Sequence, residues 1–395
     1  MRYAPVTERL AGLGSAKWQI HERARRMRLA GEPVLALTIG EPDVPTPSHF
    51  IDAAASAMRA GRTTYSNGRG EPVLLKALAA KYARRSGREI GADRVLCLPG
   101  TQTVLYAIMR TLVGPGDEVL IGDPLYATYE GVVASAGGQV VTVPLRPEMG
   151  FRMQAADLSA RITPRSRVLL INSPHNPTGA VLSAAEIAAL AAVAVAHDLW
   201  IVADEVYEEL VYEGVKFASP LDDPALEGRV IVASSISKSH AAPGFRSGWC
   251  VGPAEFCQRL LPISETMLFG SQPFIADMTA LAVSSPSPVA AGMAARYAAR
   301  AGMIAKALDG VAGMRVHLPQ AGMFTLIDVR ASGLSGDDFA DRLLNETGVA
   351  VMPGESFGAS LAGWLRISLT QGDAVTAEAC ARIAAFAAAR IGVAA

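Results

Sequence analysis

Between residues 95 and 233 the chain repeats one pattern: a short apolar run, then a longer stretch rich in alanine and leucine. The runs fall at 95–98, 118–121, 140–143, 168–171, 199–203 and 230–233. They are apolar at successive positions rather than at alternate ones, which suits strands buried on both faces. Helical stretches between strands act as crossovers, and crossovers give parallel pairing. The pattern therefore predicts an α/β domain over residues 46–283, with a largely parallel sheet covered by helices on both faces. Residues 101–112 read as the helix after the first run. At 183–186 the sequence SAAE has capping-box spacing and predicts a helix start. The apolar stretch behind it, 187–196, is too short to span a bilayer.

The rest of the chain is patterned differently. Residues 286–311 read as one long helix, 339–344 and 377–389 as shorter ones. Short strands are expected at 323–328, 349–352 and 364–369. This predicts a smaller α+β domain. The first forty residues carry an arginine-rich helical segment and a strand candidate at 34–37, expected to pack with the C-terminal part. The small domain would then be discontinuous, residues 1–45 plus 284–395.

Composition narrows the partners. Lys+Arg 36 nearly balance Asp+Glu 37, and the formal net charge is -1. No basic block stands out, so neither nucleic acid nor a membrane surface is expected as partner. Cys97, Cys250, Cys257 and Cys380 form no CxxC pair and sit among apolar neighbours. They read as free thiols in a reducing compartment. No basic patch followed by an apolar run opens the chain, so a cytoplasmic protein is expected. No spacing suggests a metal site, and no GxGxxG precedes a helix.

In an open α/β sheet, ligands bind beyond the carboxyl ends of the strands. The polar clusters of this chain lie there: PGTQ at 99–102, NSPHNPTG at 172–179, DEVY at 204–207, and SISK at 235–238 with GFR at 244–246. One such cluster could be an ordinary turn, but four in register describe one pocket. Lys238 sits in a small, polar segment, whereas Lys17, Lys76, Lys81, Lys216 and Lys306 read as solvated. A buried amine beside a cation loses its proton and can attack a carbonyl. Taken alone, Lys238 could equally make a structural salt bridge.

The segment 235–248, SISKSHAAPGFRSG, resembles the lysine signature of class I/II aminotransferases, fold-type I enzymes that use pyridoxal 5'-phosphate. In that family the lysine carries the cofactor as a Schiff base. The resemblance gives that role to Lys238 and makes Ser235 and Arg246 phosphate ligands. It extends along most of the chain. GEPDVPTP at 40–47 resembles an N-terminal family segment and would set Gly40 against the substrate carboxylate. Tyr65 matches a tyrosine that reaches the phosphate of the partner subunit, which implies a homodimer. Gly100, Thr101 and Gln102 match the phosphate loop, where helix-start N–H groups suit an anion. In DPLYATY at 123–129, Tyr126 matches the tyrosine that stacks on the cofactor ring, while Tyr129 reads as structural. Asn176 and Tyr207 match donors to the ring hydroxyl, and Asn176 also borders the substrate. Asp204 matches the carboxylate at the pyridine nitrogen. His175 reads as support behind this cluster. PGESFG at 353–358 and WLR at 364–366 match the segment whose arginine, here Arg366, binds the α-carboxylate.

The implied reaction moves an amino group from an L-amino acid to a 2-oxo acid. Bacterial aspartate-preferring members commonly place a lysine where this chain has Gln102, and a neutral amide meets a buried carboxylate poorly. HDLW at 197–200, GLS at 333–335 and FADR at 339–342 resemble the family's arginine:pyruvate transaminases. Arginine, or a related guanidino amino acid, with pyruvate is the expected pair. Glu41, Asp43 and Glu71 are the candidate acids for a guanidinium. Aspartate, aromatic or broad donors are the alternative, as is another reaction at Cα or Cβ on the same cofactor.

Overall fold

The structure, a computed structural model, describes residues 2–391. Thirteen strands order it: Leu35–Ala36 (β1), Val95–Leu98 (β2), Glu118–Asp123 (β3), Gln139–Pro144 (β4), Ser166–Asn172 (β5), Trp200–Asp204 (β6), Val230–Ser235 (β7), Gly248–Val251 (β8), Arg315–His317 (β9), Phe324–Asp328 (β10), Val349–Ala350 (β11), Met352–Pro353 (β12) and Trp364–Ser368 (β13). The large sheet has the order β2-β8-β7-β6-β5-β3-β4. Five of these strands, β4, β3, β5, β6 and β7, run parallel. β8 runs antiparallel to both neighbours. This strand is not marked by the alternation of runs and crossovers, because only a loop with one 3-10 turn, Pro243–Phe245, separates it from the lysine segment.

Successive strand residues enter different cores. Leu120, Leu169 and Ile171 face one side with helices Pro72–Ser86, Ala184–Ala196 and Pro273–Val283. Val119, Ile121, Val168 and Leu170 face the other, with helices Gly100–Leu112 and Ala254–Leu268. Burial on both faces explains why these strands lack a polar–apolar alternation. The capping box at Ser183 is formed: its hydroxyl accepts from the Glu186 N–H at 3.2 Å, and Glu186 accepts from the Ser183 N–H at 2.7 Å.

A second sheet, order β12-β13-β10-β9, is antiparallel. With helices Ala290–Leu308, Gly336–Thr347 and Asp373–Ile391 it builds the smaller α+β part. The expected strand at 349–352 is two bridges: β11 pairs with β1, and β12 joins the four-stranded sheet. β1 lies parallel to β11, so the N-terminal segment packs onto the C-terminal part, and Leu37 enters that core. Among the described residues, no helix is long and apolar enough to cross a membrane. The four cysteines are buried free thiols.

Candidate active site

The parallel strands end on one level. Asn172 and Asp204, the last residues of β5 and β6, are register partners, and Ser235 closes β7 beside them. A cavity of about 220 Å³ opens there. Gly40, Thr101, Gln102, Tyr126, Asn176 and Asp204 line it. So do Tyr207, Ser235, Lys238, Arg246 and Arg366. These residues come from eight separate stretches of sequence, and the ends of the strands gather most of them. Gly100 lies just outside the wall. Its φ of 79° and bare Cα admit the Arg246 guanidinium to the start of helix Gly100–Leu112. Gly248 is needed for the same approach, since a Cβ there would sit 2.6 Å from the Gly100 backbone. Tyr65 does not line the cavity and is 88% exposed.

Lys238 Nζ donates to the Gly40 carbonyl at 2.6 Å. Burial, with Arg366 and Arg246 nearby, brings its amine down to about 8, against a smaller opposite pull from Glu41. Asp204 accepts from the Tyr129 hydroxyl at 2.7 Å and from the Val206 N–H at 3.2 Å. Burial outweighs both bonds and pushes its carboxyl up to about 6. Tyr129 is therefore no bystander in the core, as its place in the helix start suggests; it lines the cavity and holds Asp204. Tyr126 lies just before the helix that Tyr129 opens, and the two rings meet edge to face at 5.5 Å.

Arg366 is 1% exposed. It donates to the Thr38 carbonyl at 2.6 Å and to Asn176 Oδ1 at 3.2 Å. The rings of Phe324 and Phe357 lie 3.8 and 4.3 Å from its guanidinium carbon. Burial lowers its pKa to about 9. Among the described residues, neither Arg366, Asp204 nor Lys238 has an ion-pair partner. Arg366 Nε and Thr101 Oγ1 are also buried without any hydrogen-bond partner. An unpaired buried charge is strongly destabilising, and an unsatisfied buried donor costs about 1–3 kcal/mol. A ligand with a carboxylate at Arg366, a cation at Asp204 and anionic oxygens at Thr101 would relieve all of them. Pyridoxal 5'-phosphate with an amino-acid substrate has that charge pattern, so the residues present fit it.

Around the cavity, some side chains lie as the sequence suggests and others do not. His175 lines a smaller cavity behind Asn172, bonds Thr178 at 2.8 Å, and is brought down to about 4 by burial. Of the candidate acids, Asp43 is already bound by Arg296 and Arg300, and Glu71 by Arg62 and Ser66. Glu41 is exposed. Lys81 is not solvated; it pairs with Glu208 and Glu209. Trp18 lines the cavity and stacks edge-on to Phe357 at 6.4 Å. Nothing in the arginine-rich N-terminal sequence marks it, since its position depends on the N-terminal segment folding back over the site.

This constellation defines a pyridoxal-phosphate enzyme of the aminotransferase type. Residues 32–383 match the family model "Aminotransferase class I and II", and the chain belongs to that family. It is similar to the arginine–pyruvate transaminase AruH of Pseudomonas aeruginosa, 44% identical over 99% of this chain and all of that one. It is also similar to the aspartate/prephenate aminotransferase of Cereibacter sphaeroides, 35% identical over 93% of this chain and 94% of that one. The crystal structure of an aspartate aminotransferase from Rhizobium meliloti superposes with a TM-score of 0.93 at 31% identity, covering 99% of both chains.

Proposed function

We propose that this enzyme transfers the amino group of arginine, or of a related guanidino amino acid, to pyruvate. The observation that carries the proposal is the 44% identity to the arginine–pyruvate transaminase over 99% of this chain. The cavity supports it. Its basic lining residues are Lys238, Arg246 and Arg366, and each has a task at the cofactor or the α-carboxylate. Gln102 is a neutral amide engaged with the Thr128 hydroxyl at 2.9 Å. Two outside cations that could reach inward are occupied: Lys17 pairs with Glu130, and Arg69 binds Gln258 and the Asp93 carbonyl. Among the described residues a distal carboxylate therefore finds no free cation at the cavity, whereas Glu41 is left for a guanidinium.

In this assignment Thr101, Ser235, Arg246 and the Gly100–Gln102 loop hold the phosphate. With the cofactor bound, Asp204 would meet the pyridine nitrogen, Asn176 and Tyr207 would bond the ring hydroxyl, and Tyr126 would cover the ring. When bound, the cofactor supplies a sink for the electrons left at the substrate α-carbon. Asp204 keeps a positive charge beside it. Arg366 grips the α-carboxylate with two parallel N–H bonds, a geometry that suits its planar fork. Gly40 borders that carboxylate. Lys238 Nζ, whose pKa is brought down to about 8 so that much more of it is neutral than of an ordinary lysine, takes the α-proton and gives it back. Fixing the carboxylate and the phosphate at opposite ends orients the Cα–H bond toward Lys238.

A donor panel tests the substrate. Arginine, aspartate, phenylalanine and alanine are compared by kcat/KM, with pyruvate and 2-oxoglutarate as separate acceptors. Missing one charge-assisted hydrogen bond, worth about 1.5–3 kcal/mol, aspartate should trail arginine by about one to two orders of magnitude. Gln102→Lys should narrow the gap. Equal values for aspartate and arginine would defeat the substrate assignment and favour the aspartate relatives, leaving the aminotransferase class intact.

The active unit proposed is a homodimer in which Tyr65 completes the phosphate site of the partner subunit. Its exposure in the single chain, beside the exposed ring of Phe269 at 5.1 Å, supports this. Two-fold dimers are the commonest assembly. Sedimentation at assay concentration should give a dimer, and a fully active monomer would refute the shared site.

A further inference from the structure

The segment after β6 has two faces. Asp204, Val206 and Tyr207 line the cavity. Glu205, Glu208 and Glu209 point the other way, toward helix Pro72–Ser86. Asp204 ends β6, and residues 205–209 beyond it form a turn with neither helix nor strand to fix it. Its back is held instead by two cations. Arg85 Nη1 donates to Glu205 at 2.8 Å and to Glu208 at 2.7 Å. Its other nitrogens reach Ser219 at 2.9 Å and Asp222 at 3.2 Å. Lys81 Nζ lies 2.9 Å from Glu208 and 2.7 Å from Glu209. Glu205 also accepts from Ser219, and Glu209 from the Ser287 N–H at 3.3 Å. The side chains of Glu205 and Glu208 are only 2% and 7% exposed, so these bonds are barely diluted by water.

We propose that Arg85, assisted by Lys81, is a positioning residue of the active site: it clamps the 205–209 turn from behind and so fixes Tyr207, and the Asp204 carboxylate at the root of the turn, against the cofactor. The clamp rests on the assignment of those two residues to the cofactor. Two cations are shared among four carboxylates, Glu205, Glu208, Glu209 and Asp222, so each cation bridges rather than pairs. Burial, despite Arg85, holds the Glu205 carboxyl above its ordinary range. A guanidinium is suited to this work because its planar fork reaches several acceptors at fixed angles, which an ammonium cannot copy. Asp204 and Glu205 are adjacent in the chain, so a shift of one carries the other. A displacement of an ångström at a reacting group can cost about a hundredfold in rate.

The test compares Arg85→Met, Glu208→Gln and Asp204→Asn with the parent. Pyridoxal 5'-phosphate binding to each apo-protein is measured by equilibrium dialysis, and kcat and donor KM are measured on the loaded enzymes. Arg85→Met should weaken cofactor binding and lower kcat by about tenfold or more, with donor KM changed less than about threefold because Arg366 is untouched. A role in stability alone would lower the melting temperature of the apo-protein and leave cofactor affinity and kcat in place; that result overturns the clamp. Should Arg85→Met fail to fold, Glu208→Gln, which keeps the shape and removes one charge, decides: about tenfold weaker binding supports the clamp, and unchanged binding overturns it. If Asp204→Asn also leaves cofactor binding unchanged, the assignment of Asp204 has failed and the clamp falls with it. If Asp204→Asn weakens binding while the clamp variants do not, the clamp alone is overturned.

Discussion

Lys238→Ala is expected to abolish turnover, lowering kcat by about four orders of magnitude or more, because one amine serves both as covalent anchor and as proton carrier. Non-covalent cofactor binding should survive in part, since Thr101, Ser235, Arg246 and Asp204 are untouched. Reduction of the loaded parent enzyme with borohydride, followed by peptide mapping, should place the modified lysine at position 238. A label on Lys216 or Lys306 would overturn the assignment. The same amine sets a pH dependence. Its pKa is brought down to about 8, chiefly by burial. The neutral, nucleophilic form therefore grows as pH rises toward 8 and is nearly complete above it. Covalent capture of the cofactor by the apo-enzyme should speed up about tenfold per pH unit below that value and level off above it. A rate still climbing steeply at pH 10 would mean that the amine is solvated and unshifted.

The sequence makes the large sheet legible because its strands are buried on both faces, and runs such as 168–171 stay apolar throughout. The residues at strand ends follow from that: once β5, β6 and β7 are placed, Asn172, Asp204 and Ser235 must gather along one edge of the sheet, with Ser235 two residues beyond the register partner of Asp204. β8 escapes because no helical crossover separates it from the lysine segment. Lys81 escapes for a different reason. On its helix it has the spacing of a surface residue, and its partners Glu208 and Glu209 stand more than a hundred residues away. The pairing exists only once the turn after β6 folds against helix Pro72–Ser86. Trp18 and Tyr129 are tertiary in the same sense. Trp18 closes a short helix and Tyr129 opens another, and only the assembled fold turns them toward the cavity. Arg366 is a mixed case. Its strand is visible as an apolar run, but the run says nothing of which neighbours its guanidinium meets, and the family resemblance supplies that.

Arg366→Lys should leave a folded enzyme that has lost its hold on the substrate. The arginine is 1% exposed, packed between Phe324 and Phe357, with Nε unpartnered and no carboxylate of its own. Lysine keeps the charge but not the fork, so two parallel bonds to the α-carboxylate become at most one. Losing one or both charge-assisted bonds, at about 1.5–3 kcal/mol each, predicts a fall in kcat/KM of about one to four orders of magnitude. The division of that loss identifies what the bonds do. If the grip only binds, KM rises and kcat holds; if it also orients the Cα–H bond toward Lys238, kcat falls as well. The geometry favours the second, because Lys238 is anchored on the Gly40 carbonyl at 2.6 Å, beside the place where the carboxylate is expected. Primary amines without a carboxylate supply the control. They have nothing to offer Arg366, so their slow turnover should be the same in the parent and in Arg366→Lys. An equal loss for amino acids and simple amines would mean that the substitution damages the site as a whole, and Arg366 would not be the carboxylate ligand.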